Sequence, residues 1–411
     1  MACQIIGNSR LLMLIRMTNA GYVDFNTASR ECQVKPRLQR HIDARAGKID
    51  YDVVAFNSNP RNSVTNATMS LGNRRLLLRG IGRFKLSEAQ DVNIIPDKGL
   101  LSIGRNRNFE FDGIIQAGKF ELEGTDFEFD YEAFKLEVRR AESLRIQAEV
   151  DGEFDQRGNP KLRWVKSVIE ELTGTLEIDN PGNKSGWKSE EYPQFPVLTS
   201  REISNVYYDS PGICKGAYHR DKFNYAVDPF VIDSLDNFKK EDLVFEGELL
   251  AGGIVPDLKE PLRLMPDYSL GFTRSTPPEG YPLYEGLGTV AGDLTLNWDG
   301  LHGPGTIDFL TSHLEGENNT LVPDSAYGRT TLYDNVAVAG NIPFVTATET
   351  DFGLQSKGKR LFVRSRPSSA LKFFEEEVYL DGELELDASR MTGQGTFDFE
   401  KAKLSARDFL M

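Results

Sequence analysis

The phrase G-x-G-T-[IF]-D-F occurs twice in this chain of 411 residues, at 303–309 and again ninety positions later at 393–399. The likeness extends to both sides. Leu294 and Leu296 precede the first copy as Leu384 and Leu386 precede the second, and Leu314 follows the one as Leu404 follows the other. Apolar residues at every second position bury one face of a strand and leave the other face wet. One such unit cannot cover its own apolar face, so its recurrence implies neighbours that stack on it. The spacing predicts strand, glycine turn, strand, turn, strand. A fainter third copy reads at 80–89, where Gly80, Gly82, Phe84 and Ala89 match Gly393, Gly395, Phe397 and Ala402.

The same period of two governs "KFELEGTDFEFDYEAFKLEV". Phe120 and Leu122, then Phe127, Phe129 and Tyr131, then Phe134, Leu136 and Val138 fall on buried faces, with Glu and Asp between them. Gly124 reads as a turn, and the phase break near Ala133 as a turn or bulge. Many further short runs of this kind, separated by Gly, Asn, Asp and Pro, indicate an all-β chain. Two stretches read as helical. One is 35–52; the other is 162–174, where Trp164, Val168 and Leu172 share a helical face, although its Val and Ile also suit a pair of strands. The polar, turn-rich stretch 180–194 is a surface loop and a boundary. The organisation expected is a weakly patterned segment (1–70), a β-repeat region (71–180), a β-rich central module (181–335) and a partial C-terminal repeat (336–411). The fold class expected is mainly β: a repeat-containing, elongated β-solenoid or stacked β-sheet architecture with one or two short helices.

Composition narrows the function. Aromatic residues make up 10% of the chain, more than a disordered segment carries. A net charge of −14 opposes binding to phosphate backbones, which needs clustered Lys and Arg. No apolar run approaches the roughly 20 residues of a membrane-spanning helix. The opening stretch is interrupted by Arg10 and Arg16 and lacks a small-residue cleavage site, so it does not read as a signal peptide. Residues 400–411 stop partway through the second copy, which reads as a piece of a longer parent chain. Cys3, Cys32 and Cys214 are too few and too scattered for a disulfide framework or a zinc site.

Catalytic motifs are missing. The G-x-G here is followed by alternating residues, not by the third glycine and helix of a dinucleotide site. Neither a Walker A, an H-E-x-x-H nor a G-x-S-x-G sequence occurs. The densest reactive cluster lies at 207–238, with Arg220, Asp236 and the candidate catalytic residues Asp209, His219, Asp221, Asp228 and Asp233. Two of its carboxylates could serve glycoside hydrolysis as acid and as nucleophile or base. Several together could hold calcium, but no D-x-D-x-D-G loop with a closing Glu is present. The plainer reading is that Asp beside Ser and Pro forms turns, and no cofactor is implied. Tyr207, Tyr208 and Trp298 are the ligand-binding candidates, as rings that could stack on sugars; Trp187, Tyr192, Tyr268, Tyr281 and Tyr284 share that capacity, or else edge the sheets. Trp298 aligns with Ala388, so it is not needed to build the unit. His302 and His313 align with Thr392 and Lys403, which excludes a ligand role common to both copies; His41 and His219 stand alone. Sequons at Asn66, Asn183 and Asn318 matter where a host glycosylates.

Several long phrases are shared with one family. "YYDSPGICKGAYHRDKFNYAVDPFVIDSLDNF", "FEGELLAGGIVPDLKEPLRLMPDYSLGF", "TPPEGYPLYEGLGT" and "GLHGPGTIDFLTS" resemble parts of very large, β-rich proteins of Gram-negative bacteria, of the envelope or secreted. "FDGIIQAGKFELEGTDFEFDYEAFKLEV" and "LTGTLEIDNPGNKSG" are similar to the same family, and the likeness runs over roughly 80–325. The resemblance implies a bacterial origin, a longer parent chain and an extracytoplasmic location: periplasm, outer-membrane surface or secreted. It carries no activity and no site residue. The function expected is a scaffold or docking module of a large envelope protein, without catalysis, with other envelope proteins or glycans as partners. The alternative is a carbohydrate-active enzyme or glycan-binding module using 207–236. A third reading is a lipid-carrying groove, which requires an apolar trough open along one side of a sheet.

Overall fold

The computed structural model describes residues 8–19, 22–46, 54–60, 65–181, 183, 188–337 and 342–411. Cys3, Trp187 and residues 47–52 of the expected helix at 35–52 lie outside them. The chain is mainly β, with large antiparallel sheets and, among the described residues, two α-helices, α1 (Asn8–Asn19) and α2 (Pro36–Arg45). α2 falls inside the stretch read as helical. α1 was not expected: Leu11, Leu12 and Met13 are exposed along it, so it lacks the one-sided apolar stripe that marks a packed helix.

The helix expected over 162–174 is not formed. Its residues belong to the strand Pro160–Trp164 and to a strand over Ile169–Glu177. The cause is local. Glu171 has a left-handed backbone (φ 62°), which shifts the inward phase by one residue and buries Ile169 and Leu172 together. Two buried residues three apart imitate a helical stripe although the backbone is extended.

Two compact units are present. The first comprises Met1–Ile146, Glu171–Glu202 and Pro229–Phe238. Its centre is a meander of β1 (Phe109–Ala117), β2 (Phe120–Asp130) and the first part of β3 (Lys135–Phe154). β1 also pairs with Val92–Pro96 and Leu101–Ile103. The alternation over 120–138 is borne out: Phe120, Leu122, Phe127, Phe129, Tyr131, Phe134, Leu136 and Val138 are all buried. Register sets Phe109 opposite Phe129 and Phe111 opposite Phe127, with ring centroids 4.8 and 5.3 Å apart. Burying each ring contributes roughly 1.5–3 kcal/mol, and cross-strand aromatic pairs add to it.

The second unit comprises Gln147–Glu170, Ile203–Asp228 and Lys239–Met411. Here β4 (Ser204–Tyr207) pairs with β5 (Phe223–Val227), which pairs with Gly247–Ala251. The first repeat forms a meander of β6 (Gly288–Asn297), β7 (Gly300–Phe309), β8 (Ser312–Val322) and β9 (Ser325–Asn335). The second repeat forms β10 (Val378–Leu386), β11 (Met391–Phe399) and β12 (Ala402–Leu410).

The two copies adopt the same conformation, but their glycines do not make turns. They sit inside strands. Gly305 of β7 faces Gly292 of β6 on one side and Gly316 of β8 on the other, and Gly395 of β11 faces Gly382 and Ala406 in the same way. φ is 143° at Gly305 and 149° at Gly395, and the register to the next strand slips at both places. A Cβ on Gly305 would press into the Ala291 carbonyl, and one on Gly395 into the Asp381 carbonyl. Only glycine allows this backbone and this approach. The same crease crosses β1–β3, where Gly113 (φ 140°) faces Gly124 and Gly124 faces Ala141. Gly124, read as a turn, is therefore mid-strand; the turn is at 131–134. This is a third instance of the crease. The copy expected at 80–89 is not one, because Gly80 and Gly82 precede the strand Phe84–Ser87 instead of lying within it. All described strand pairings are antiparallel; a solenoid stacks its coils through parallel pairs, and no solenoid is identified.

Candidate functional site

The cluster at 207–228 lies in the second unit and is organised by tyrosines. Alternation along β4 turns Ser204 and Val206 inward and continues to Tyr208, leaving Tyr207 half-buried on the other face. The Tyr208 hydroxyl donates to the Leu270 carbonyl at 3.3 Å. Tyr218 stacks on Phe223 at 4.2 Å. Its hydroxyl donates to the Leu321 carbonyl of β8 (2.6 Å) and accepts the Leu301 N–H of β7 (2.9 Å). Tyr225 donates to the Glu260 carbonyl at 2.8 Å. Burial pushes all three phenols above their ordinary pKa, so they remain neutral donors.

Outside this packed layer, Arg220 gathers the polar groups. Its Nε donates to Asp209 Oδ2 at 2.8 Å, its Nη1 reaches Glu170 at 3.4 Å, and its guanidinium lies 4.1 Å from the Tyr207 ring centroid. The hydrogen bond to Asp209 raises the pKa of Arg220. Tyr207 thus presents one ring face to a cation that is itself held by two carboxylates. The remaining candidates do not join this group. His219, Asp221 and Asp228 are exposed, and Asp233 belongs to the first unit, as does Asp236, whose Oδ2 pairs with Lys188 at 2.5 Å. Backbone N–H groups of Lys222 and Phe223 bond to the His219 carbonyl, a turn-forming role. Trp298 is half-buried, its backbone N–H donating to Ser269 Oγ at 3.1 Å, with Lys166 Nζ 6.0 Å from its ring. Cys32 and Cys214 are free thiols, and Cys214 Sγ lies 3.2 Å from the Asp299 carbonyl. Among the described residues no three His, Cys, Asp or Glu side chains come together as a metal site, and no helix is long and apolar enough to cross a membrane.

A cavity of about 560 Å³ in the same unit is lined by residues including Asp151, Lys240, Arg263 and Tyr268. Lys240 is paired with Asp151, and Arg163 lies 4.6 Å from the Tyr268 ring. Two features of the molecule carried no signal that sequence reasoning used. One is Asp179 in the first unit, a buried carboxylate that accepts the Asn180 N–H (2.7 Å) and Asn183 Nδ2 (3.1 Å), its pKa raised by desolvation. The other is the outer edge of β12. Its apolar residues are visible in the sequence, but their exposure is a property of the sheet.

Compared with known proteins, the chain matches no family model, no curated protein and no solved structure.

Proposed function

We propose that this chain is a structural and docking module of a large bacterial envelope protein, in which creased three-strand units provide the scaffold. The extracytoplasmic setting rests on the sequence resemblance. The docking role rests on a difference between the two repeats of the second unit. β8 carries β7 on one edge and β9 on the other, and its Leu314 is 0% exposed. β12 pairs with β11, no further pairing of it is described, and the matching Leu404 is 57% exposed. Phe309 and Phe399 differ in the same sense, at 1% and 39%. An edge strand with open backbone groups and uncovered leucines takes up another strand, whether the next strand of a longer parent chain or one from a partner. The first repeat supports one kind. β9 lays Tyr333 opposite Leu314 and turns Ala326, Thr330 and Tyr333 inward, so the occupant of the β12 edge is an antiparallel strand with small and aromatic residues on one face.

A labelled peptide with the sequence of residues 325–335 tests this by fluorescence anisotropy. Saturable binding is expected, and it should be lost in the variant Leu404→Glu/Leu410→Glu. Equal binding to that variant, or none to the parent protein, removes the docking role. A stable dimer by light scattering without peptide capture would assign the edge to a second copy instead. Saturable binding on a glycan array, abolished by Asp209→Ala, would replace the reading with a glycan-binding one.

A further inference from the structure

We infer that the first unit holds a binding site for a small organic acid with an aromatic or alkyl body. The site is a cavity of about 340 Å³ lined, among the described residues, by Val54, Phe56, Ile103, Phe109, Phe129 and Tyr131, with Arg107 as its cation. Its volume falls within the range of small-ligand pockets, and so does its chemistry, an apolar wall with a single charged group. Behind it lies the packed aromatic ladder, in which Phe109 and Phe129 are 3% and 0% exposed and serve as rigid backing. The wall is Phe56, edge-on to Phe84 at 5.2 Å and to Phe109 at 6.4 Å. An incoming apolar body meets Phe56, Val54 and Ile103, which are half-buried, with an aromatic edge or face available at Phe56.

Arg107 gives the cavity its selectivity. Its guanidinium lies 4.4 Å from the Tyr131 ring centroid, and no carboxylate among the described residues pairs with it. The side chain itself is exposed, so its forked N–H donors remain open to solvent at the mouth. A planar fork of this kind binds carboxylate in a bidentate manner. The backbone adds a second observation. Asn106 and Arg107 both take left-handed φ values, 60° and 69°, which is unfavourable for arginine and is retained where surrounding structure enforces it. The turn therefore carries Arg107 to the rim of an apolar cavity, where a neutral apolar residue would have covered it more simply.

Titration of the purified protein with 2-naphthylacetate, by calorimetry or ligand-observed NMR, tests the inference, with 2-naphthaleneethanol as the uncharged comparator. Saturable binding of the acid is expected, with the alcohol at least about tenfold weaker, since a charge-assisted pair is lost. Arg107→Gln, an exposed substitution, should weaken the acid about tenfold and leave the alcohol unchanged. Phe56→Ala should weaken both. No binding to the parent protein, or equal binding of the acid by Arg107→Gln, would overturn the site. The β12 edge is not involved, so this outcome and that of the peptide experiment are independent.

Discussion

Tyr218 illustrates how single side chains are used in this molecule. Its hydroxyl closes two hydrogen bonds to strands of the first repeat, one of them to a residue 103 positions away. Tyr284 does the same for Val322 at 3.0 Å, and Tyr208 for Leu270. Removing such a hydroxyl leaves a buried carbonyl and a buried N–H without partners, which costs about 1–3 kcal/mol. Tyr218→Phe is therefore expected to lower stability by that amount in urea unfolding. Tyr327→Phe, at a ring 44% exposed, should stay within about 0.5 kcal/mol of the parent; equal effects would remove the latch role from Tyr218. The sequence makes the tyrosine cluster at 207–225 visible, and with it the temptation of a sugar-stacking platform. It does not reveal that these hydroxyls are consumed by backbone partners far along the chain, because that depends on which strands meet. The polar candidates are similar. Asp209 stands out by neighbourhood in the sequence, but the second carboxylate on Arg220, Glu170, lies in a strand 39 positions earlier, and only folding brings both to Arg220.

At the scale of the element, the period of two was legible wherever a strand is regular, as over 120–138. It misled where a bulge changes the phase. At Glu171 one left-handed residue turns an extended strand into something that reads as a helix. In the G-x-G repeats the glycines read as turns because turn glycines and crease glycines have the same letter. What separates them is the neighbouring strand: Gly305 is forced by the Ala291 carbonyl, which no local pattern announces. Gly305→Ala is expected to cost at least about 2 kcal/mol, from a disfavoured φ together with a clash against backbone. Gly353→Ala is the matched control. Gly353 also sits within a strand, but open space surrounds its Cβ position, so the change should be neutral within about 1 kcal/mol. Urea unfolding of the two variants side by side distinguishes them, and equal costs would mean that the crease is not a constraint.

For the molecule as a whole, charge is the most transferable statement. With a net charge of −14, long-range repulsion opposes approach to a polyanion. A fluorescein-labelled duplex should show no anisotropy change with this protein at 150 mM salt, and micromolar binding would contradict that. The mainly β character was legible from composition and alternation, whereas the way strands divide between the two units was not. A strand's partner is fixed by which distant apolar face matches its own, and β3 changes unit midway along a single run of residues.

The crease has a consequence for how such a chain can vary. Its bend is written in backbone, by the absence of side chains at a few crossing points, and the residues on either side take no part in specifying it. Letters around those points are then free to change while the curvature persists, so two lengths of chain can share a shape long after their spelling has diverged. Within this one molecule, Gly113 and Gly124 face each other across neighbouring strands as Gly292 and Gly305 do, although the letters around the two pairs are largely different.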